Sequence, residues 1–219
     1  MSEPDSTTQP RVDATSAAAS LARLVWEVVQ ILVMAVLMVM LIRNFFHNYR
    51  IEGISMEPNF HDRQFLIVNR FAYCPGIHIE IPVANVSLYE RVWCKSTPKR
   101  GDVVIFEYPR DPSRDFIKRV IGLPNETVEV RAGQVYVDGV LVPEPFGPNP
   151  GSYNAPPITV GPDEVYVMGD NRNNSSDSHL WGPLKLEQII GEALVSYWPP
   201  QHWAVVPQYD LTDLSVATQ

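Results

Sequence analysis

The sequence predicts a mainly β protein: an N-terminal transmembrane helix, then one β-rich, turn-rich body. Three observations carry this. From Leu24 to Ile42 run 19 residues in which Glu27 is the one charge. At about 1.5 Å per residue such a run just spans a hydrocarbon core of roughly 30 Å. Proline makes up 20 of the 219 residues, well above its usual share of about 5%, which argues for many turns. Past residue 60, short runs rich in Val, Ile and Tyr alternate with Gly, Pro and Asn, the mark of successive strands.

Residues 1–20 are rich in Ser, Thr, Ala and Asp with no apolar periodicity, and they read as a disordered tail. The anchor, residues 21–44, is apolar all round rather than along one stripe, which favours a membrane over a buried core helix. It ends in Arg43-Asn44-Phe45-Phe46-His47, a charged and aromatic flank suited to a bilayer interface, where a cleaved leader would end in small residues. Arg11 and Arg23 precede the run, and Arg43 and Arg50 follow it. That balance leaves the orientation open.

The body is expected over residues 45–205. Ile51–Phe60 is a constrained turn with Gly53, Ser55 and Pro58. Gln64–Asn69 reads as a buried strand, and Ile77, Ile79 and Ile81 alternate as a hairpin arm would. Arg100–Tyr108 is a turn followed by a strand, and Asp115–Ile121 is another strand. Asn125 sits where a left-handed residue belongs in the turn Gly122–Glu126. Thr127–Val130, Gln134–Val137 and the turn Asp138-Gly139 signal hairpins. Pro143–Pro157 reads as a surface loop, Glu164–Met168 as a strand, Gly169–Ser178 as a polar loop and Gly191–Trp198 as a last strand. The tail, 206–219, carries no signal.

A net charge of −8 excludes nucleic acid as an obvious partner of the body. Five scattered histidines provide no metal-ligand spacing, and no Gly-rich phosphate loop is present, so neither metal nor cofactor is expected. Cys74 and Cys94 bracket one segment; they are either buried thiols or, in an oxidising space, a disulfide.

Ser55, on a constrained turn, is either a helix N-cap or an exposed nucleophile. A base decides between them. On a strand Asp115–Ile121, the two-residue period puts Phe116, Lys118 and Val120 on one face. A lysine among apolar neighbours is pushed toward its neutral form, by up to about 3–5 units, and a neutral amine can take a serine's proton. Arg119 cannot, because guanidinium stays charged; beside Ile117 and Ile121 it should stack or pair on the opposite face.

Ser55-Met56-x-Pro58, Arg100-Gly101-Asp102, Lys118-Arg-Val-Ile-Gly-Leu-Pro124 and Gly169-Asp-Asn-Arg-Asn-Asn-Ser-x-Asp-Ser178, in that order after an anchor, resemble the bacterial type I signal peptidases over about residues 24–198. The resemblance implies a mostly antiparallel β catalytic body with a smaller β lobe, here about residues 125–165. It implies a membrane-bound serine endopeptidase that removes signal peptides from exported preproteins with a Ser/Lys dyad and no metal. Ser55 matches the nucleophile and Lys118 the general base; Ser175 matches the serine that orients the lysine, with Asp177 and Arg172 in the supporting network.

On this resemblance the substrate lies as an added strand along Ile51–Ser55 and Asp115–Lys118, with Ile51, Phe60 and Ile117 closing small pockets. The expected setting is single-pass in the cell membrane with the catalytic body outside the cytoplasm, in contact with lipid and signal peptides, as a monomer. Two positions depart from the family. Gly53 stands where some members place a serine hydroxyl as the second oxyanion donor, and His179 stands where many have Arg. Two other readings share the same features: an inactive, membrane-tethered module that only holds preproteins, and a self-cleaving repressor of the Ser/Lys kind. The anchor and the lack of a DNA-binding helix pair count against the latter.

Overall fold

The computed structural model describes residues 14–73, 76–81, 86–91, 96–207, 209 and 211. The chain divides into two compact units, Met1–Arg43 and Asn44–Gln219. The first is dominated by helix α1 (Ala14–Phe45). Its stretch Ser20–Met40 is long and apolar enough to cross a membrane, and Trp26, Ile31 and Leu37 are all exposed. Residues 14–20, expected in the tail, are already helical, as their Ala-rich composition favours.

The second unit is mainly β. In chain order its strands are β1 (Phe46–Arg50), β2 (Phe65–Asn69), β3 (Gly76–Ile81), β4 (Val86–Arg91), β5 (Val103–Tyr108), β6 (Asp111–Gly122) and β7 (Thr127–Arg131). They continue with β8 (Gln134–Val137), β9 (Val140–Leu141), β10 (Ala155–Thr159), β11 (Glu164–Met168), β12 (Leu184–Lys185), β13 (Ile189–Trp198) and β14 (Ala204–Val205). A short helix, α2 (Ser178–Trp181), follows the polar loop.

Among the described residues the main sheet runs β1-β2-β13-β5-β6-β11-β12, with β14 on β13. A four-stranded sheet, β10-β7-β8-β9, falls within the residues expected for the smaller lobe, and β3 pairs with β4. Among the described residues every pairing between these strands is antiparallel.

Turn chemistry follows the sequence closely. Asn125 has φ 70°, and Asp138-Gly139 have φ 50° and 81°, the left-handed pair of a type I′ hairpin. Three segments differ from expectation. Phe46 and His47, read as part of an interface flank, open an edge strand on β2 instead, β1, whose side chains alternate exposed and half-buried. In Pro143–Pro157, Phe146 is buried, and Ala155-Pro156-Pro157 open β10, an edge strand whose register shifts there, as proline requires. The tail is not featureless: Leu211 is buried in the core of the smaller sheet with Tyr209 against it, and the Leu211 carbonyl accepts a 3.0 Å bond from Arg100. Cys74 and Cys94 lie outside the described residues.

Candidate active site

Strand β6 pairs with β5 along most of its length but with β11 only at its C-terminal end, where Arg119 faces Met168. Chain leaving β11 at Gly169 therefore turns away just where Lys118 stands. It crosses to the turn Ile51–Phe60 and holds it: the Asn171 N–H donates to the Ser55 carbonyl at 3.0 Å and Asn171 Nδ2 to the Ile54 carbonyl at 3.1 Å. Below that turn Ile51, Met56 and Phe60 pack with Leu66, Val68, Val103, Ile105 and Ala193. No helix follows Ser55, so it is no N-cap.

This brings Lys118 Nζ to 2.7 Å from Ser55 Oγ, with a second bond of 2.8 Å from Nζ to the Ile117 carbonyl. Lys118 is 3% exposed. Burial lowers its pKa to about 8, although the carboxylates of Asp177 and Asp170 pull the other way. Desolvation wins, because a charged amine loses more hydration than two nearby carboxylates restore. The Phe116 ring centroid is 5.3 Å from Nζ.

Arg119, on the opposite face, both pairs and stacks. Its guanidinium donates to Asp170 at 2.9 and 2.7 Å and lies 4.2 Å over the Phe146 ring. Asp170 also accepts from Asn59 Nδ2 at 2.9 Å, so one buried carboxylate ties β6 to the serine turn. Sequence reasoning missed Asp170, Asn171 and Asn59. For Asp170 and Asn171 the available signal was their place in a Gly-Asp-Asn-Arg run after a strand; Asn59 offered only its place next to Pro58 in the serine turn.

The loop Gly169–Ser178, read from the sequence as a polar loop, is largely buried: Asp170 and Asp177 are 0% exposed and Arg172 1%. Its buried charges are each paired, Asp170 with Arg119, Arg172 with Glu144 and Asp177 with His179, which is what permits the burial. Asp177 accepts from the Gly169 N–H at 2.8 Å and from His179 Nδ1 at 2.6 Å, and it caps α2. His179 stacks on Tyr153 with centroids 4.4 Å apart. Arg172 donates to the Gly169 carbonyl and pairs with Glu144, touching neither Ser55 nor Lys118.

Ser175 behaves differently from expectation. Its Oγ is buried and has no hydrogen-bond partner, so no bond to Lys118 is formed. A Cβ added to Gly169 would stand 2.2 Å from Ser175 Oγ and 2.5 Å from the Ser55 carbonyl oxygen, so the three meet at one crowded point that only glycine fits.

Ser55 and Lys118 open on a groove of about 520 Å³ lined by Ile51, Leu66, Ile105 and Ile117, with Asn174 and Ser176 from the polar loop. Phe60 is not among its walls. It faces a separate cavity beside Trp203 and Val206, because the turn that presents Ser55 puts residue 60 on its other side. Among the described residues no cluster of three or more His, Cys, Asp or Glu could hold a metal.

Comparison with known proteins follows the same residues. The family model "Signal peptidase, peptidase S26" matches residues 25–198. A protein named "Probable signal peptidase I-1" from Synechocystis sp. is 36% identical over 185 residues, covering 81% of this chain and 84% of that one. Signal peptidase I of Bacillus caldolyticus is 32% identical, covering 73% of this chain and 83% of that one. A solved signal peptidase I from Enterococcus faecalis V583 aligns at 30% identity and TM-score 0.38, covering 44% of this chain and 97% of that one. Because the family match runs unbroken through the strands and turns that carry Ser55, Lys118 and the polar loop, this chain belongs to the signal peptidase family, peptidase S26.

Proposed function

We propose that the protein is a membrane-anchored serine endopeptidase that cleaves signal peptides from exported preproteins, with Ser55 as nucleophile and uncharged Lys118 as general base. The observation that carries this is the 2.7 Å approach of a buried amine to a serine hydroxyl at the head of a groove. At pH 7 a lysine of pKa about 8 is neutral in about 10% of molecules, against about 0.03% for a solvated one, a gain of roughly 300-fold in competent base.

Neutral Nζ accepts the Ser55 proton as Oγ attacks the scissile carbonyl. The same proton then serves the leaving amine, and water, activated by the same nitrogen, releases the acyl-enzyme. The Ser55 N–H is the first oxyanion donor. Asp177 and Arg172 act by holding Gly169 in place, and Ser175 by filling the junction between Gly169 and Ser55. The substrate adds as a strand along the β6 edge that β11 leaves unpaired, with an alanine-sized side chain over Ile51 and Ile117. Ser55 lies 13 residues beyond Ile42, a reach of at most about 47 Å, which keeps the catalytic serine near a membrane surface; the extracytoplasmic side of the cell membrane is where signal peptides of exported preproteins emerge.

The test is a detergent assay of a preprotein with purified parent and Ser55→Ala protein. Cleavage by the parent and none by the variant is expected; a parent that binds preprotein without cutting it would leave a binding module instead.

A further inference from the structure

We propose that the Asn174 carboxamide is the second oxyanion donor of acylation, acting beside the Ser55 N–H; this rests on the peptidase reading above. In that step the Ser55 Oγ–carbon bond forms, the carbonyl π pair moves onto oxygen, and the Oγ proton passes to Lys118 Nζ. The new alkoxide calls for donors fixed in advance, since donors that must first be ordered contribute less.

Position 53 cannot supply one. Gly53 has no side chain, its N–H is already given to Asp62 Oδ1 at 2.8 Å, and a Cβ built there meets nothing within 4 Å. Lys118 is occupied as the base, and the Ser113 hydroxyl is bonded to Asp111 at 2.6 Å. Two side chains of the polar loop line the groove with Ser55 and Lys118, namely Asn174 and Ser176.

They differ in how firmly they are held. Asn174 Nδ2 donates one hydrogen to Asn171 Oδ1 at 3.1 Å, and the Asn174 N–H donates to the Asn171 carbonyl at 3.0 Å. Asn171 in turn grips the carbonyls of both Ile54 and Ser55. The carboxamide is thereby fixed relative to the nucleophile's own peptide units. An amide nitrogen carries two hydrogens, and among the described residues the second finds no acceptor. Both residues are exposed at the groove, but the Ser176 hydroxyl has no hydrogen-bond partner among the described residues to fix its direction.

The experiment uses the full chain in detergent. Asn174→Ala and the near-isosteric Asn174→Asp are compared with Ser176→Ala, each measured for preprotein cleavage, for inhibition by a peptide aldehyde and for binding of a peptide with an uncleavable bond. An aldehyde forms a tetrahedral adduct with Ser55 and reports the oxyanion site directly. For both Asn174 variants kcat should fall by about 10²–10³ with KM little changed, the size of effect seen for one lost oxyanion donor. Aldehyde affinity should fall in parallel, and the uncleavable peptide should bind as before. Retained kcat in Asn174→Ala, a loss confined to KM, or a loss that follows Ser176 instead would overturn the assignment while leaving the peptidase reading intact. A parent that cleaves nothing would overturn both.

Discussion

The pH dependence of cleavage tests the dyad most directly. If neutral Lys118 is the base, kcat/KM of the parent should track the fraction of free enzyme with an uncharged amine. With a pKa of about 8, that fraction is about 1% at pH 6 and about 50% at pH 8, a rise of roughly 50-fold. Between pH 9 and 10 the same curve climbs by only about 1.1-fold, whereas a lysine of ordinary pKa near 10.5 would still gain about 8-fold. The shape follows from burial: only 3% of Lys118 is exposed, and two carboxylates oppose the shift without cancelling it. The assay is initial-rate cleavage of a preprotein in detergent across pH 5.5–10, at substrate well below KM. A curve still climbing steeply from pH 9 to 10 would refute the neutral-base account, and so would one flat from pH 6.

Other outcomes follow from the same contacts. Lys118→Arg should be as inactive as Lys118→Met, because guanidinium cannot give up its proton; substantial activity in the Arg variant would count against proton abstraction. The folded amine has the lowered pKa, so the unfolded chain binds more protons between about pH 8 and 10.5 and parent stability rises across that window. Lys118→Met should therefore gain about 3 kcal/mol over the parent below pH 8 and lose that advantage by pH 10.5, measured by denaturant melts at fixed pH.

Asp170→Ala leaves the buried Arg119 guanidinium without its carboxylate and takes one of two acceptors from the Asn59 amide, and should cost about 3–5 kcal/mol; a melt showing less than 1 kcal/mol would contradict the clamp. Gly169→Ala puts a methyl group 2.5 Å from the Ser55 carbonyl oxygen, so it should abolish cleavage while the body still folds, checked by activity beside circular dichroism. In His179→Arg a permanent positive charge faces Asp177, weakening that carboxylate's hold on the Lys118 proton. The acid limb of its pH–rate curve should move to lower pH, and profiles identical between pH 5 and 8 would exclude coupling through residue 179.

Local patterns made much of the fold legible. The apolar run of α1, the alternation in β2, β5, β6 and β11, and left-handed Asn125 and Asp138-Gly139 all depend on neighbours in sequence. Where partners are distant, local pattern failed. Residues 46–50 became a strand only because β2 offers an edge, and the tail packs only because Arg100 and the smaller sheet receive it. Phe60, expected on the family resemblance to help close the substrate pocket, lines a separate cavity instead, because the sequence of a turn does not decide which side a ring occupies.

What the sequence alone determined is which atoms are available: a serine beside a glycine on a proline-bound turn, and a lysine set between apolar residues on a strand. Spacing along the chain could not say that 63 residues of separation collapse to a hydrogen bond. That was decided by the antiparallel order β5-β6-β11, which stops β11 opposite Arg119 and sends Asp170 and Asn171 across to grip the serine turn. The charged side chains of the polar loop stay dry for the same reason. Its charges find partners only in three dimensions, and a buried charge is tolerated only when it is paired.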